Sequence, residues 1–253
     1  MMDRPGMKIS RLLSLLMALT VFAANAVAQN PYTKSFSQTG VVPNRTGWSF
    51  WYMPTGVADT LNVKVSYVDT GMASHTPHAH NHDELFILLE GEAILHLNGT
   101  ETMLHPGDGF MCPGGSSHNI QRADPDHPIL YLMFTRETAG GIPAPHQFRK
   151  PDYTAADCYV PFRKGRSFWY LAPGLAGSGL NVRSITLRGR RVHHDPADGR
   201  QLVYFIMEGN ARVTVDGAPV ELTAPSVCYV PKGASGSIAA AGGKMRYLQV
   251  RTQ

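Results

Sequence analysis

Beyond residue 30 the apolar positions of this chain fall into short runs, each closed by Gly, Pro, Asn or Asp, with no sustained helical repeat among them. Residues 85–89, 93–97 and 129–134 read as strands in the first half. Residues 203–207, 211–215 and 247–250 read as their counterparts in the second. Asn98-Gly99 and Asp216-Gly217 are hairpin signals, because the tight turn between antiparallel strands needs positive φ at its central residues. Many short antiparallel strands must close or stack, since an open sheet leaves unpaired edges. The pattern therefore predicts an all-β chain of closed barrels or two-sheet jelly rolls.

The same punctuation returns at an interval of 118 residues. Val42-Pro43 and Gly47 recur as Val160-Pro161 and Gly165, and Ser49-Phe50-Trp51-Tyr52 recurs as Ser167-Phe168-Trp169-Tyr170. Gly71, Gly91 and Gly99 match Gly189, Gly209 and Gly217; Pro113 and Gly115 match Pro231 and Gly233. One offset kept over so many turn and aromatic positions means two copies of one unit. The polar, Gly- and Pro-containing stretch 136–166 holds the join. Because Trp51 and Tyr52 recur in both copies, they read as packing residues before substrate contacts.

The first residues follow another pattern. Arg4, Lys8 and Arg11 lead into an apolar run over 12–24, and Ala26-Val27-Ala28 places small residues where a signal peptidase reads. Residues 1–28 are expected to be a signal peptide cleaved after Ala28, leaving a periplasmic or secreted protein with no stable membrane anchor. Cleavage removes those three cations and Asp3, so the formal charge of +4 falls to +2. No cluster of Lys and Arg with interleaved aromatics stands out, which argues against a nucleic-acid partner. Cys112, Cys158 and Cys228 are an odd set for an exported chain. One pair could be bridged, but Cys112 and Cys228 read as small apolar strand residues.

Candidate chemistry is concentrated in one copy. His78-Ala79-His80-Asn81-His82-Asp83-Glu84 is followed downstream by Pro113-Gly114-Gly115-Ser116-Ser117-His118. On a strand His78, His80 and Glu84 share a face, and His118 would arrive from a neighbouring strand. Three imidazoles and a carboxylate can close around one divalent transition metal: Mn, Fe, Ni, Zn or Cu. His82 shares the parity of His80 and Glu84, so it is a candidate fifth ligand, supporting partner or proton-transfer group, unless a bulge turns it outward. At the matching places of the second copy stand Pro196, Asp198, Leu202 and Gly236, so that copy is expected to keep the barrel and lack the metal. His75, retained there as His193, reads as structural or supporting, and His105 as a surface residue. Phe86, Phe110, Met111 and Met133 read as barrel core or as the apolar wall of a pocket.

The run Gly71, His78, His80, Glu84, Gly91 resembles the first signature of the cupin superfamily, and Gly107, Pro113, Gly115, His118 resembles the second, with Arg122 where an Asn usually stands. The resemblance covers both halves and implies two tandem cupin β-barrels, the jelly roll also called a double-stranded β-helix. It divides the chain into a metal-binding cupin domain at 29–147 and a degenerate one at 148–253. It makes His78, His80, Glu84 and His118 the metal ligands. It also implies a small-molecule substrate and allows a homodimer paired through exposed strands. Such a centre serves dioxygenases and decarboxylases, redox-neutral sugar or uronate isomerases and lyases, or a non-catalytic metal- or carbohydrate-binding protein. The intact ligand set favours the oxidative branch. No nucleophile elbow, phosphate loop or nucleotide fingerprint accompanies it.

Overall fold

The computed structural model describes residues 31–58, 60–71, 76–80, 82–136, 159–163, 166–171 and 180–252. The leader and its cleavage point, His75, Cys158 and the 147/148 boundary lie outside the described residues. Those described form twenty strands and one short 3-10 turn, Gln38–Gly40. The expected strands are present with longer ends: Asp83–Glu90, Ala93–Leu97, Ile129–Arg136, Leu202–Glu208, Asn210–Val215 and Lys244–Thr252. Both predicted hairpins turn through left-handed pairs, Asn98 and Gly99 at φ 49° and 83°, Asp216 and Gly217 at 46° and 83°.

Each unit stacks a large sheet on a small one. In the first, a seven-stranded sheet runs in the order Tyr159–Val160, Gly109–Cys112, Asp83–Glu90, Ile129–Arg136, Leu61–Val68, Gly47–Met53, Val42–Asn44. Its small partner is Thr100–Leu104, Ala93–Leu97, His118–Arg122. In the second, six strands run Tyr32–Ser35, Ser226–Val230, Leu202–Glu208, Lys244–Thr252, Leu180–Arg188, Ser167–Leu171. The small sheet there is Val192–Asp195, Gly236–Ala240, Asn210–Val215, Ala218–Thr223. The units exchange strands: Tyr32–Ser35 pairs with Ser226–Val230 of the second, and Tyr159–Val160 pairs with Gly109–Cys112 of the first.

The strand Asp83–Glu90 is buried on both faces from Glu84 to Leu88. One face, with Glu84 and Phe86, looks into its own barrel. The other, with Leu85 and its cross-strand neighbour Phe134, meets the second unit. There the Phe205 ring stands edge-on to Tyr52 at 4.9 Å and to Phe134 at 6.4 Å. Such aromatic pairs contribute about 0.5–1.5 kcal/mol beyond the area they bury. Tyr52 is thus packing, as its recurrence suggests. The repeated Gly91 and Gly209 have a steric cause as well as positive φ: a Cβ would meet the Pro128 carbonyl oxygen at 2.3 Å and that of Lys244 at 2.5 Å.

Candidate metal centre

Glu84 is positioned by the sheet and the imidazoles by loops stitched to it. Glu84 sits across from Cys112 on one side and Thr135 on the other and is only 5% exposed. His118 opens the strand His118–Arg122 and is 2% exposed. The expectation that His78, His80 and Glu84 share one strand is corrected: the strand begins at Asp83, and His78 makes only an isolated bridge with His118. Pro77 lacks an N–H for a ladder, which opposes a regular strand here. His78 and His118 exchange both backbone hydrogen bonds, at 3.1 and 2.9 Å, and the Gly115 N–H donates to the His80 carbonyl at 2.7 Å. The second motif therefore clamps the first.

Three rings are oriented through their Nδ1 atoms. Nδ1 of His78 lies 3.0 Å from the Thr76 carbonyl, that of His80 3.3 Å from the His82 carbonyl, and that of His118 2.9 Å from the Ser116 carbonyl. A carbonyl oxygen only accepts, so each Nδ1 carries a hydrogen, which leaves Nε2 as the ring atom able to face a metal. Ligand atoms of His78, His80 and His118 lie within 4.8 Å of one another, as do those of His80, His82 and Glu84. The expected four, together with His82, thus fall into two overlapping triads that share His80. His82 joins them rather than turning outward: its Nε2 is 3.3 Å from Glu84 Oε1, and its ring stacks on His80 at 3.8 Å.

The Glu84 carboxylate is the electrostatic centre. Nε2 of His118 and of His80 lie 3.2 and 3.3 Å from its Oε2. Burial raises its pKa, but hydrogen bonds from His118, His80 and His82, donated where those rings carry a proton on Nε2, outweigh that and hold it well below the usual carboxylate range. With hydrogen on Nδ1, a neutral ring turns a lone pair toward a carboxylate lone pair. That contact is repulsive unless positive charge lies between them or on the rings. The donor set therefore fits a divalent cation held by Nε2 atoms and Glu84.

The surroundings grade from apolar to open. Phe86, Phe110, Met111 and Met133 are buried barrel core, and the Phe86 ring lies 6.1 Å from that of His118, forming a wall of the site. His78 is exposed and marks the mouth. His105 is a surface residue, 59% exposed. Cys112 and Cys228 are buried strand residues, with burial pushing the Cys228 thiol up to about 12.

Lys64 was not anticipated. Through the register Phe86–Met133–Lys64–Trp51 it shares the inward face with Glu84, and its Nζ lies 5.1 Å from the Trp51 ring centre. Burial lowers the Lys64 pKa while the Glu84 charge raises it. A signal was present in the repeat: Arg183 lies over Trp169 at 5.2 Å in the second copy.

The second barrel holds a different solution. Strand pairing sets Asp195, not Pro196, across from Gly236, the counterpart of His118. The Asp195 carboxylate, 3% exposed, accepts hydrogen bonds from Tyr204, from Arg251, and from Gln249 at 2.7 Å. Arg251 also reaches Asp198 at 3.3 Å. Arg251 stands across from Leu202, the counterpart of Glu84, so a guanidinium supplies positive charge inside this barrel. His193 links to the cluster through Tyr247 at 3.0 Å and Gln249 at 3.4 Å.

Comparison with known proteins agrees with this fold. Residues 65–135 match the model of the Cupin domain family. No curated protein sequence matches the chain. Among solved structures, oxalate decarboxylase from Lactobacillus farciminis, in its formate complex, is 14% identical with a TM-score of 0.66, covering 87% of this chain and 86% of that one. Salicylate 1,2-dioxygenase from Pseudaminobacter salicylatoxidans is 14% identical with a TM-score of 0.66, covering 88% and 84%. Oxalate decarboxylase from Bacillus subtilis is 16% identical with a TM-score of 0.64, covering 86% and 75%. At these identities the likeness is one of fold, and the fold is that of a bicupin.

Proposed function

We propose that this bicupin is an exported metal-dependent enzyme of dioxygenase or decarboxylase type, acting on a small, oxygen-rich carboxylate. The observation that carries the reading is the convergence of His80 and His118 Nε2, both rings oriented through Nδ1, on the buried Glu84 carboxylate, with His78 grouped beside those two rings. His78, His80, Glu84 and His118 would hold the metal, with His82 beside them as orienting or proton-transfer group. A bound divalent transition metal supplies a Lewis acid and, where redox-active, a site for electron transfer with a substrate or O₂.

The chain's own residues do the rest. Lys64, on the inward face beside Trp51, can pair with a substrate carboxylate and orient it. Phe86 and Met133 exclude water from one side of that space. His82 Nε2, within reach of Glu84 Oε1, can take or return a proton at that oxygen's edge of the site. That two proteins of the same fold are an oxalate decarboxylase and a salicylate 1,2-dioxygenase supports a small acid as the first substrate class to try.

The test combines elemental analysis of protein taken from its export compartment with oxygen uptake and product analysis over small carboxylic acids, catechols and flavonols. Substrate-dependent oxygen uptake, or carbon dioxide release from an acid, supports the reading. Bound metal without either result moves the chain to redox-neutral uronate chemistry or to metal binding alone.

A further inference from the structure

A cavity of about 1130 Å³ lies where the two units meet, and none of its lining residues belongs to the metal centre. Leu88 and Leu89 reach it from the strand whose other end carries Glu84, about 16 Å away along the strand. Its charge is one-sided. Arg163, Arg166, Arg188, Arg191, Lys244 and Arg246 line it against a single acid, Glu208.

Glu208 is already engaged by Arg246 at 2.6 Å and Lys244 at 3.4 Å. Among the described residues, the other four arginines have no carboxylate partner. The Arg246 side chain lies over the Phe162 ring at 5.4 Å, and its Nε is buried without a hydrogen-bond partner. Gathering these cations without counter-charge is unfavourable for the isolated protein and favourable for an anionic guest.

The floor is built rather than incidental. Buried Asp108 accepts hydrogen bonds from the Phe162 N–H at 2.7 Å and from the Tyr159 hydroxyl at 2.9 Å. Phe162 packs so closely on Gly107 that a Cβ there would meet its ring at 2.6 Å, and Phe168 stands edge-on to Phe162 at 5.6 Å. The Tyr170 hydroxyl donates to the Gly107 carbonyl at 2.6 Å, tying the second unit's edge strand to the same floor. One arginine fork over an aromatic floor, with four further arginines lining the same cleft, suits a multiply charged oxyanion.

We propose that this cleft binds an extended polyanion carrying several carboxylate or phosphate groups, at a site separate from the metal centre. Its volume lies at or above the upper end for single small-ligand pockets, which suits an oligomeric ligand. The inference does not rest on the proposed enzymatic activity.

The test is calorimetric titration of the full mature protein, at low salt, with trigalacturonate, with tripolyphosphate, and with neutral maltotriose. Saturable binding of at least one acidic probe is expected, weakening as salt is raised. The double variant Arg188→Ala/Arg191→Ala should lose affinity by about tenfold or more, as should Arg163→Ala/Arg166→Ala. Binding of trigalacturonate alone identifies a polycarboxylate, and binding of tripolyphosphate alone a phosphate ligand. Binding of both shows that charge density suffices. No binding of either acidic probe, equal binding of maltotriose, or unchanged affinity in both folded variants overturns the proposal.

Discussion

His118 Nε2 lies 3.2 Å from Glu84 Oε2, and both residues are buried, at 2% and 5% exposure. A carboxylate kept ionised at that depth needs positive charge beside it, on protonated imidazoles or on a cation held between them. Glu84→Gln should abolish most metal binding and leave the barrel folded, because the second unit folds with Leu202 at the same place. Metal content and thermal unfolding of the variant check both halves; unfolding at room temperature would contradict the second.

His82 contacts Glu84 but lies outside the triad of His78, His80 and His118. His82→Ala should retain metal with affinity lowered about 10–100-fold, the usual cost of losing an orienting partner. Equilibrium dialysis with Mn or Fe measures this. Complete loss of metal would make His82 a ligand in its own right.

Lys64→Met removes the cation on the inward face while keeping its length. For a carboxylate substrate the expected result is a fall in kcat/KM of about tenfold or more, with metal content unchanged. Retained kcat/KM would exclude Lys64 from substrate orientation.

In the second barrel, Arg251→Met strands the Asp195 carboxylate, whose side chain is 2% exposed. Breaking a buried pair in this way costs about 3–5 kcal/mol. The double variant Asp195→Leu/Arg251→Met should recover much of that loss. Chemical denaturation of the two variants makes the comparison, and equal destabilisation would show that the pair is not the cause.

Stability should also depend on pH through His193. Burial, with Arg183, Arg251 and His194 nearby, holds its pKa below the ordinary 6.5 despite Asp195 pulling it up. The unfolded chain then binds a proton that the folded chain refuses, so this contribution is present above about 6.5 and is lost as pH falls toward the folded value. Tm measured from pH 7 downward should decline, and less steeply for His193→Gln. Parallel profiles would remove His193 from the account.

The local pattern carried most of the fold because strand faces, Gly turns and the 118-residue repeat are written in short windows of sequence. Asn98-Gly99 and Asp216-Gly217 turn as their residue types require. The exchange of Tyr32–Ser35 and Tyr159–Val160 between units was not legible, since such pairing joins segments far apart in sequence. At the site the residue types were legible but the backbone was not. Pro77 and the clamp from His118 and Gly115 favour a pinned loop over the strand that alternation suggested. The fixed offset also pointed to Pro196, whereas pairing with Gly236 brings in Asp195, because a one-residue shift is invisible without the partner strand.

The most direct measurement is elemental analysis of unchelated protein purified from its native source, made in parallel on the wild type and on His118→Ala. About one equivalent of a divalent transition metal in the wild type, largely lost in the variant, is the expected result. Wild-type protein without metal, or metal held equally by His118→Ala, would contradict the claim that these imidazoles and Glu84 form a metal centre.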